Sequence, residues 1–328
     1  MGWVRSEGGK GEWMIENVSK LEAGAGRPLV SVIIPCYQNR CYLQQTLASV
    51  LPQVTGDMEV FVLDDASPEG CPLEGSEFTG QVPVFRQPVN LGHVGNLVDG
   101  IRRARGQWVH ILHGDDFVLP GFYAAILDAI GKFPNAGAVF TQNVVVNPAG
   151  QWIGLSQLLG SETAVLPDLL QRLAVENVIQ TPSIVVRRAV YEELGAFDSE
   201  FTWCEDWEMW SRLASRFAVV YVGQALAAYR QHGSSSTSRH LREGLTGQDT
   251  MRCLRAVWSR LPPAGKQRAM RNGRMLHAVR CRMNAAYSER MSGVFRQLLA
   301  SLRFRCTPLN AFACVVCLLR QVRRRLGK

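Results

Sequence analysis

The sequence predicts an α/β protein with a doubly wound, Rossmann-like mixed sheet, followed by a basic C-terminal region that is entirely helical. Short β-branched runs alternate with helical stretches through the first third of the chain, and polar clusters follow several of these runs directly. Charge is also divided sharply, with a net charge of +17 over residues 239–328 and −9 over the rest. The alternation indicates βαβ units, and the charge asymmetry indicates two functional regions.

Length and composition set the organisation that we expect. The 328 residues, 47% hydrophobic and 20% charged, suffice for a globular protein with a sizeable core. We predict a flexible leader over residues 1–27, an α/β domain over 28–238 with halves 28–117 and 118–238, and a basic helical region over 239–328. No apolar run reaches the roughly 20 residues of a spanning helix. The lack of a signal-like apolar segment near the start and the odd count of nine cysteines favour free thiols and a cytoplasmic location.

The first half of the α/β domain carries the clearest periodicity. Its strand candidates are short β-branched or apolar runs, typical of strands buried on both faces of a parallel sheet. These strands are predicted at residues 29–35, 58–63, 82–86 and 107–112, with helices at 42–51 and 90–104. Farther along, strands are predicted at 138–146, 183–186 and 218–222, and a helix at 205–216. Residues 147–182 show no regular pattern, and the chain beyond residue 240 reads as helical.

Polar clusters follow three of the predicted strands. They are Tyr-Gln-Asn at residues 37–39, Asp-Asp-Ala-Ser at 64–67 and Asp-Asp at 115–116. In open α/β sheets, ligands bind in the crevice at the carboxyl ends of the strands. Three strands therefore direct polar groups toward one site, and the sequence predicts a ligand-binding cleft there.

Individual cleft residues have both a binding and a structural interpretation. The adjacent carboxylates of Asp115 and Asp116 repel each other unless a cation offsets their charge, and Mg²⁺ or Mn²⁺ prefers such oxygen ligands; a solvated turn is the alternative. Asp65 is a candidate acceptor for a nucleobase or ribose group, or a cap for its own turn. Asn96 faces either the cleft or an ordinary helix surface, and His232 is either a metal or phosphate ligand or an exposed loop residue.

Glu205 and Asp206 open the predicted helix at 205–216. Acids in a first turn are favoured by the helix dipole, which is the structural explanation. The tryptophans at 203, 207 and 210 provide an apolar setting that raises the basicity of a carboxylate, and they could also stack on a sugar. This second interpretation makes Asp206 a candidate general base.

Taken together, these elements resemble family-2 glycosyltransferases with the GT-A fold, over about residues 28–238. Residues 32–38 are similar to the family's opening strand and Pro-x-Tyr-Asn signature, with Gln38 where Asn is usual. The other matching elements are residues 64–67 (Asp-Asp-Ala-Ser), 90–106, 113–116 (His-Gly-Asp-Asp), 205–208 (Glu-Asp-Trp-Glu) and 229–232 (Tyr-Arg-Gln-His). Each element alone is weak evidence for the family, whereas six elements in the family's order are a specific signal.

The resemblance implies roles for eight residues. It implies that the nucleotide sugar is bound by Pro35, Tyr37, Asp65, Asn96, Asp115 and His232, that Mg²⁺ or Mn²⁺ is held by Asp116 with His232, and that Asp206 is the base. It further implies an inverting transfer from a nucleotide-diphosphate sugar to a hydroxyl of a glycan or lipid-linked acceptor, in cell-surface polysaccharide synthesis.

Two other functions are weighed against this one. A sugar nucleotidyltransferase is also α/β and metal-dependent, but it needs a glycine-rich phosphate loop after the first strand, and residues 35–38 are Pro-Cys-Tyr-Gln. A nucleotide-sugar-binding scaffold without turnover would have no need of Asp116 and Asp206.

The basic C-terminal region has its own alternatives. The apolar stretch at residues 309–319 is followed by five basic residues and is too short to span a bilayer. It suits an interfacial helix attracted to an anionic membrane surface, or a helical cap packed on the catalytic domain with solvated arginines. Nucleic acid is a less favoured partner, because no recognition motif or aromatic platform accompanies the charge.

Overall fold

The structure is a computed structural model that describes residues 27–70 and 72–326. The predicted leader, residues 1–27, lies outside the described residues apart from Arg27, and so do Cys71 and the last two residues of the C-terminal region. All eight described cysteines are free thiols.

The described chain forms ten strands and eleven α-helices. The strands are β1 (Val30–Cys36), β2 (Met58–Asp64), β3 (Val84–Arg86), β4 (Trp108–Ile111), β5 (Phe117–Val118), β6 (Ala138–Val146), β7 (Trp152–Leu155), β8 (Ala164–Val165), β9 (Ile184–Arg187) and β10 (Val219–Arg230). The helices are α1 (Arg40–Val50), α2 (Gly92–Arg103), α3 (Phe122–Lys132), α4 (Leu169–Leu173), α5 (Arg188–Leu194), α6 (Glu205–Ala214), α7 (Ser236–Glu243), α8 (Thr246–Arg260), α9 (Pro263–Asn284), α10 (Met291–Phe304) and α11 (Pro308–Leu326).

All ten strands belong to one mixed sheet, as the sequence predicts. The strand order is β3-β2-β1-β4-β9-β6-β10-β5, with β7 paired to β6 and β8 to β10. Strands β1 to β4 are parallel to their neighbours in that series, whereas β9 runs antiparallel to both β4 and β6. The parallel series brings the carboxyl ends of β1, β2 and β4 to one edge.

Side chains of β1 alternate between two hydrophobic cores, which confirms the doubly wound architecture. Val32 and Ile34 face a core that includes buried residues of α1 and α3, whereas Ile33 faces a core that includes residues of α2, α4 and α6. Successive residues of a strand point to opposite faces. A strand covered on both faces is therefore apolar throughout, and every residue of β1 is buried.

The predicted elements of the sheet region agree with the structure to within two residues at each end, with exceptions in its second half. The strand predicted at 218–222 continues to Arg230, because β10 pairs with β6 along its length through two irregularities in register. The segment 147–182, where no pattern was visible, contains β7, β8 and α4, and β5 was not predicted. Helix α7 begins at Ser236, three residues before the predicted start of the helical region.

The region after residue 239 is helical, as predicted, and it packs on the sheet region. Trp258 of α8 donates its indole N–H to the carbonyl of Ala174 at 2.8 Å, and His277 Nε2 of α9 lies 2.9 Å from the carbonyl of Val175. These contacts fix α8 and α9 against the chain that follows α4. None of the described helices is both long enough and apolar enough to cross a membrane.

Candidate active site

A cleft of about 470 Å³ lies at the carboxyl ends of β1, β2 and β4. Helices α6 and α7 supply its opposite wall. All eight residues singled out from the sequence line this cleft: Pro35, Tyr37, Asp65, Asn96, Asp115, Asp116, Asp206 and His232. Residues more than 190 positions apart thus meet at one site, as expected from the strand ends.

The loops after β1 and β2 are tied together in strained conformations. Gln38 and Ala66 have φ of +53° and +59°, a left-handed region that non-glycine residues rarely adopt. The N–H of Gln38 donates to Ser67 Oγ at 3.1 Å, and the N–H of Ser67 donates to the carboxylate of Asp64. Such strain persists where surrounding bonds hold it, and it clusters at functional sites.

The two aspartates at the end of β2 have different tasks. Asp64 is fully buried, and its carboxylate accepts hydrogen bonds from Arg86 and from the backbone of Ser67, so it holds the loop together. Asp65 lines the cleft, and its Oδ1 accepts the N–H of Leu91 at 2.7 Å. Burial raises the pKa of Asp65, which indicates that the hydrogen bonds to its carboxylate do not fully offset the loss of solvation.

Asn96 lies in the cleft wall with both ends of its amide engaged. It donates to the carbonyl of Leu63 at 3.0 Å and accepts from Gln87 at 3.3 Å. The residue therefore fixes α2 to the end of β2 while it borders the cleft.

A cluster of potential metal ligands follows β4. One ligand atom from each of His113, Asp115 and Asp116 lies within 4.8 Å of the others. Asp116 Oδ1 accepts the backbone N–H of Arg230 at 2.8 Å, but its buried Oδ2 has no hydrogen-bond partner in the described part of the chain. Burial, followed by the nearby Asp115, raises the pKa of Asp116 to about 6. An uncompensated buried carboxylate oxygen beside further ligands fits a divalent cation.

His232 contacts Asp115 in this structure, and the histidine beside Asp116 is His113. His232 Nε2 lies 2.8 Å from Asp115 Oδ2, and its Nδ1 lies 2.8 Å from Ser234 Oγ. Burial opposes ionisation of Asp115, but the hydrogen bond from His232 and the charge of His113 prevail and lower its pKa. His113 Nδ1 lies 3.6 Å from Asp116 Oδ2, and its buried Nε2 has no partner among the described residues.

Arg230 supports the acidic turn from behind. Its side chain is buried, and its Nε donates to the carbonyl of Asp115 at 2.7 Å. The guanidinium carbon lies 4.6 Å from the ring centre of Tyr42 and 5.4 Å from that of Phe117. Stacking and hydrogen bonding together fix where Asp115 and Asp116 point.

Glu205 and Asp206 face the cluster from the first turn of α6. Asp206 accepts from Asn177 Nδ2 at 3.0 Å and from the N–H of Trp207 at 2.6 Å. Burial, followed by the neighbouring charge of Glu205, raises the pKa of Asp206 to about 7. A carboxylate with a pKa near neutrality is suited to accept a proton from a substrate and later release it.

Glu205 itself is paired on one side only. Its Oε1 lies 3.1 Å from His93 Nε2, whereas its buried Oε2 has no partner within the described ranges. Burial opposes ionisation, but His93 prevails and lowers the pKa of Glu205. Of the three tryptophans predicted to surround the acids, Trp203 lines the cleft, whereas Trp207 and Trp210 are buried in the core.

Several cleft residues were not singled out by the sequence analysis. They are His93, His113, Asn177, Arg239 and Arg242, of which Asn177 contacts the cleft residue Asp206 and the others line the cleft. His113 lies inside a matched motif, so its position was a usable signal. His93 also lies inside a matched element, residues 90–106, whereas Asn177, Arg239 and Arg242 lie outside all six elements and nothing in their spacing marks them.

Comparison with known proteins gives a family and a fold. A family model described as "Glycosyl transferase family 2" matches residues 31–195. An uncharacterized protein of Mycobacterium tuberculosis is 28% identical over 235 residues, covering 67% of this chain and 73% of that protein. An uncharacterized glycosyltransferase of Haemophilus influenzae is 23% identical over 219 residues, covering 64% and 68% respectively.

Two solved structures share the architecture at low sequence identity. The chain is similar to S. aureus TarS 1–349 in complex with UDP-GlcNAc, with a TM-score of 0.66 and 16% identity over 84% of this chain and 80% of that one. It is also similar to the mannosyltransferase PcManGT from Pyrobaculum calidifontis in complex with GDP-Man and Mn²⁺, with a TM-score of 0.54 and 18% identity over 90% and 81%. At these identities the likeness establishes the fold.

Proposed function

The chain belongs to glycosyl transferase family 2 and has the GT-A fold, and from that premise we propose that it is a metal-dependent, inverting enzyme that uses a nucleotide-diphosphate sugar. One observation carries the proposal. Two acids with raised pKa values, Asp116 and Asp206, line the same cleft from different elements, one with a free carboxylate oxygen and the other held by Asn177. This arrangement separates a cation ligand from a proton acceptor.

The reaction is a single displacement at the anomeric carbon. Asp206 takes the proton of the acceptor hydroxyl as that oxygen forms the new glycosidic bond, and the bond to the nucleoside diphosphate breaks on the opposite face of the sugar. The transition state has oxocarbenium character, as in glycoside hydrolysis. Attack from the opposite face inverts the anomeric configuration, and the proton remains on Asp206 until product leaves.

We propose that Mg²⁺ or Mn²⁺ is held by Asp116, with Asp115 and His113 close enough to contribute ligands. When bound, such an ion offsets the negative charge that develops on the diphosphate leaving group. His232 was predicted as a metal and donor ligand, and its hydrogen bond to Asp115 supports a role in orienting that carboxylate. The acidic cluster and the Mn²⁺ complex of the similar mannosyltransferase both support metal use.

The donor is proposed to lie along the loops of residues 28–117. Asp65 is placed to accept a hydrogen bond from the nucleobase or ribose, while Pro35, Tyr37 and Asn96 border the same part of the cleft. The similar structures are complexes with UDP-GlcNAc and with GDP-Man, which supports a nucleotide sugar as donor. Residues 118–238 would then supply the acceptor side, including Asp206.

The acceptor is proposed to be a hydroxyl of a glycan or lipid-linked saccharide in cell-surface polysaccharide synthesis. Arg239 and Arg242 of α7 line the cleft, and their charge suits an acceptor or carrier that bears phosphate. We also propose a cytoplasmic location at an anionic membrane surface, supported by the net charge of +8 and its concentration in the C-terminal region.

A panel of nucleotide sugars tests the donor and the metal together. We expect one class of nucleotide sugar to raise the thermal midpoint of the protein in the presence of Mn²⁺ or Mg²⁺, and no such rise with a chelator. A ligand at about 100 times its Kd stabilises the folded protein by about 2.7 kcal/mol. NMR of the transfer product should show the anomeric configuration opposite to that of the donor.

Two results would contradict the proposal. Formation of a nucleotide sugar from nucleoside triphosphate and sugar phosphate would identify a nucleotidyltransferase. Donor binding without hydrolysis or transfer to any saccharide acceptor would identify a binding scaffold.

A further inference from the structure

The C-terminal helices expose an unusual amount of apolar surface. More than half of the large apolar side chains that the described residues expose lie between residues 275 and 326. They are Met275, Val279, Met283 and Tyr287 in and just after α9, Phe295 and Leu299 in α10, and Leu309, Phe312, Val315, Leu319 and Leu326 in α11. Spacings of mostly three or four residues place those of each helix on one face. Contiguous exposed apolar surface marks an interaction site more often than it marks chance.

Helix α11 exposes large apolar side chains while it buries two polar ones. Its packed face buries Asn310 and Gln321 together with Cys314, whereas Phe312 and Leu319 are 67% and 61% exposed. Asn310 donates to the carbonyl of Arg305 at 2.8 Å and accepts from Arg282, so the buried polar group is satisfied. A surface helix ordinarily turns its apolar stripe inward. The outward stripe is therefore available to an apolar phase outside the protein.

Helices α9, α10 and α11 pack against one another. Cys317 Sγ lies 3.5 Å from the carbonyl of Arg282, and Arg325 donates to the carbonyl of Ser288. These contacts place α11 beside the end of α9 that carries Met283 and Tyr287. We name this set, Met283, Tyr287, Phe312, Val315 and Leu319, the C-terminal apolar face.

The charge around the C-terminal apolar face is predominantly positive, with Glu289 next to it paired to Arg242 at 3.2 Å. Residues 290–326 contain eight arginines and neither Asp nor Glu. Arg320, Arg323 and Arg324 follow the apolar stripe of α11 directly, and Arg323 and Arg324 are exposed. An exposed apolar stripe with a cationic flank is the composition of a helix that lies in the interface of an anionic bilayer.

The C-terminal apolar face is connected to the rim of the cleft. Arg242 of α7 lines the cleft, and its carbonyl accepts the backbone N–H of Glu289 at 2.9 Å. Glu289 is two residues from Tyr287, whose ring is 65% exposed. A tyrosine at this place suits the level of lipid headgroups, since its ring is apolar and its hydroxyl polar.

We propose that the C-terminal apolar face docks on the surface of an anionic lipid bilayer and so brings the rim of the cleft next to lipid-linked acceptors. Charge complementarity selects a bilayer of acidic phospholipids as the occupant. The docking itself is independent of the catalytic assignment; only the acceptor statement rests on the proposed function.

Vesicle flotation of the full-length protein tests the docking. We expect binding to vesicles of phosphatidylcholine and phosphatidylglycerol in equal parts, no binding to phosphatidylcholine alone, and weaker binding as salt is raised. The double substitution Phe312→Ser and Leu319→Ser should lower the partition coefficient roughly 10- to 100-fold, because two apolar side chains no longer enter the interface. Its thermal midpoint should match the wild type, since both side chains are exposed.

A matched control removes an exposed apolar side chain elsewhere. Ile153→Ser changes a residue of β7 that is also exposed, within a stretch, residues 133–171, that contains no Lys or Arg. This variant should float like the wild type.

Three outcomes would overturn the proposal. They are absence of flotation with anionic vesicles, flotation unaffected by the double substitution, and a dimer in sedimentation velocity that the double substitution dissociates, which would make the face a contact between copies. Failure of the catalytic proposal is distinguishable, because Asp206→Asn should float normally without transfer activity. The double variant should in turn keep metal-dependent donor hydrolysis without vesicles.

Discussion

The sheet region, residues 28–238, and the last of the C-terminal helices, α11, differ in where they place polar and apolar side chains. In the sheet region the apolar side chains fill two cores, and acids with raised pKa values border the cleft. In α11 the buried side chains include Asn310 and Gln321, while Phe312 and Leu319 face outward. Both regions therefore contain side chains in places that do not favour folding: acids beside a cleft in one, and exposed apolar side chains in the other. Such exceptions are expected at sites where a protein binds its ligands.

The two regions are also proposed to bind different partners from outside the chain. The cleft presents the buried Oδ2 of Asp116 without a hydrogen-bond partner among the described residues, an arrangement that fits a cation ligand. The C-terminal region has a net charge of +17 over residues 239–328, which attracts anions. We therefore expect function of the first region to depend on a cation and association of the second to depend on anionic lipid.

The largest expected effect is a loss of turnover in the Asp206→Asn variant of the cleft, a substitution that leaves the C-terminal helices unchanged. Asparagine keeps the size of the side chain and can still accept the hydrogen bond from Asn177, but it cannot take a proton. General-base help contributes about 10²- to 10⁴-fold. We expect kcat to fall by that factor while the thermal shift caused by the donor remains.

The control for Asp206→Asn is Asp128→Asn, which removes an exposed carboxylate paired with Lys132 on the surface of α3. That variant should retain wild-type kcat. Turnover by Asp206→Asn within a factor of two or so of the wild type would show that another group, with Glu205 the nearest carboxylate, accepts the proton.

The second effect separates the two histidines of the acidic cluster. His113→Ala removes a potential ligand within 4.8 Å of the Asp115 and Asp116 oxygens, whereas His232→Ala removes a hydrogen bond to Asp115. We expect both to weaken Mn²⁺ binding, His113→Ala by about 10- to 100-fold and His232→Ala by less. Titration of Mn²⁺ by electron paramagnetic resonance measures the free ion directly. The reverse order would make His232 the ligand, as the family resemblance implies.

Much of the fold could be predicted because buried parallel strands carry a strong signal. Strand β1 is apolar at nearly every position since both of its faces are covered. Strand β6 was located to the residue by the apolar residues at its two ends, although its middle is Thr-Gln-Asn. Strand β7 gave no signal because all four of its residues are exposed, so neither alternation nor a continuous apolar run was required. The far half of β10 was missed because residues 223–228 are mostly Gly and Ala with an irregular register.

The location of the cleft was predictable, whereas the division of roles within it was not. Strand ends and ordered motifs gave eight residues that all line one cleft. Asp64 pairs with Arg86, whereas its neighbour Asp65 faces the cleft. This division of roles depends on the turn at Ala66, whose positive φ no sequence pattern reveals. Asn177 was not predictable, because its contact with Asp206 spans 29 positions from a segment without periodicity.

The smallest effect concerns stability as a function of pH, and it again distinguishes the cleft from the C-terminal helices. The folded-state pKa of Asp206 is about 7 and that of Asp116 about 6, both raised from an ordinary 3.8 by burial first and by a neighbouring acid second. Between about pH 4 and pH 7 the folded protein therefore holds protons that the unfolded chain releases, so the free energy of unfolding falls as pH rises through this window. Without metal, Asp206→Asn should flatten part of that slope and be more stable than the wild type at about pH 8 by roughly 1–3 kcal/mol, with little difference near pH 4.

Arg323→Gln in α11 is the control, since an arginine does not titrate in this range and the slope should not change. Urea unfolding in the presence of a chelator measures these values, and an undiminished slope in Asp206→Asn would mean that Asp206 is already ionised at low pH, with its burial offset by the hydrogen bonds from Asn177 and Trp207.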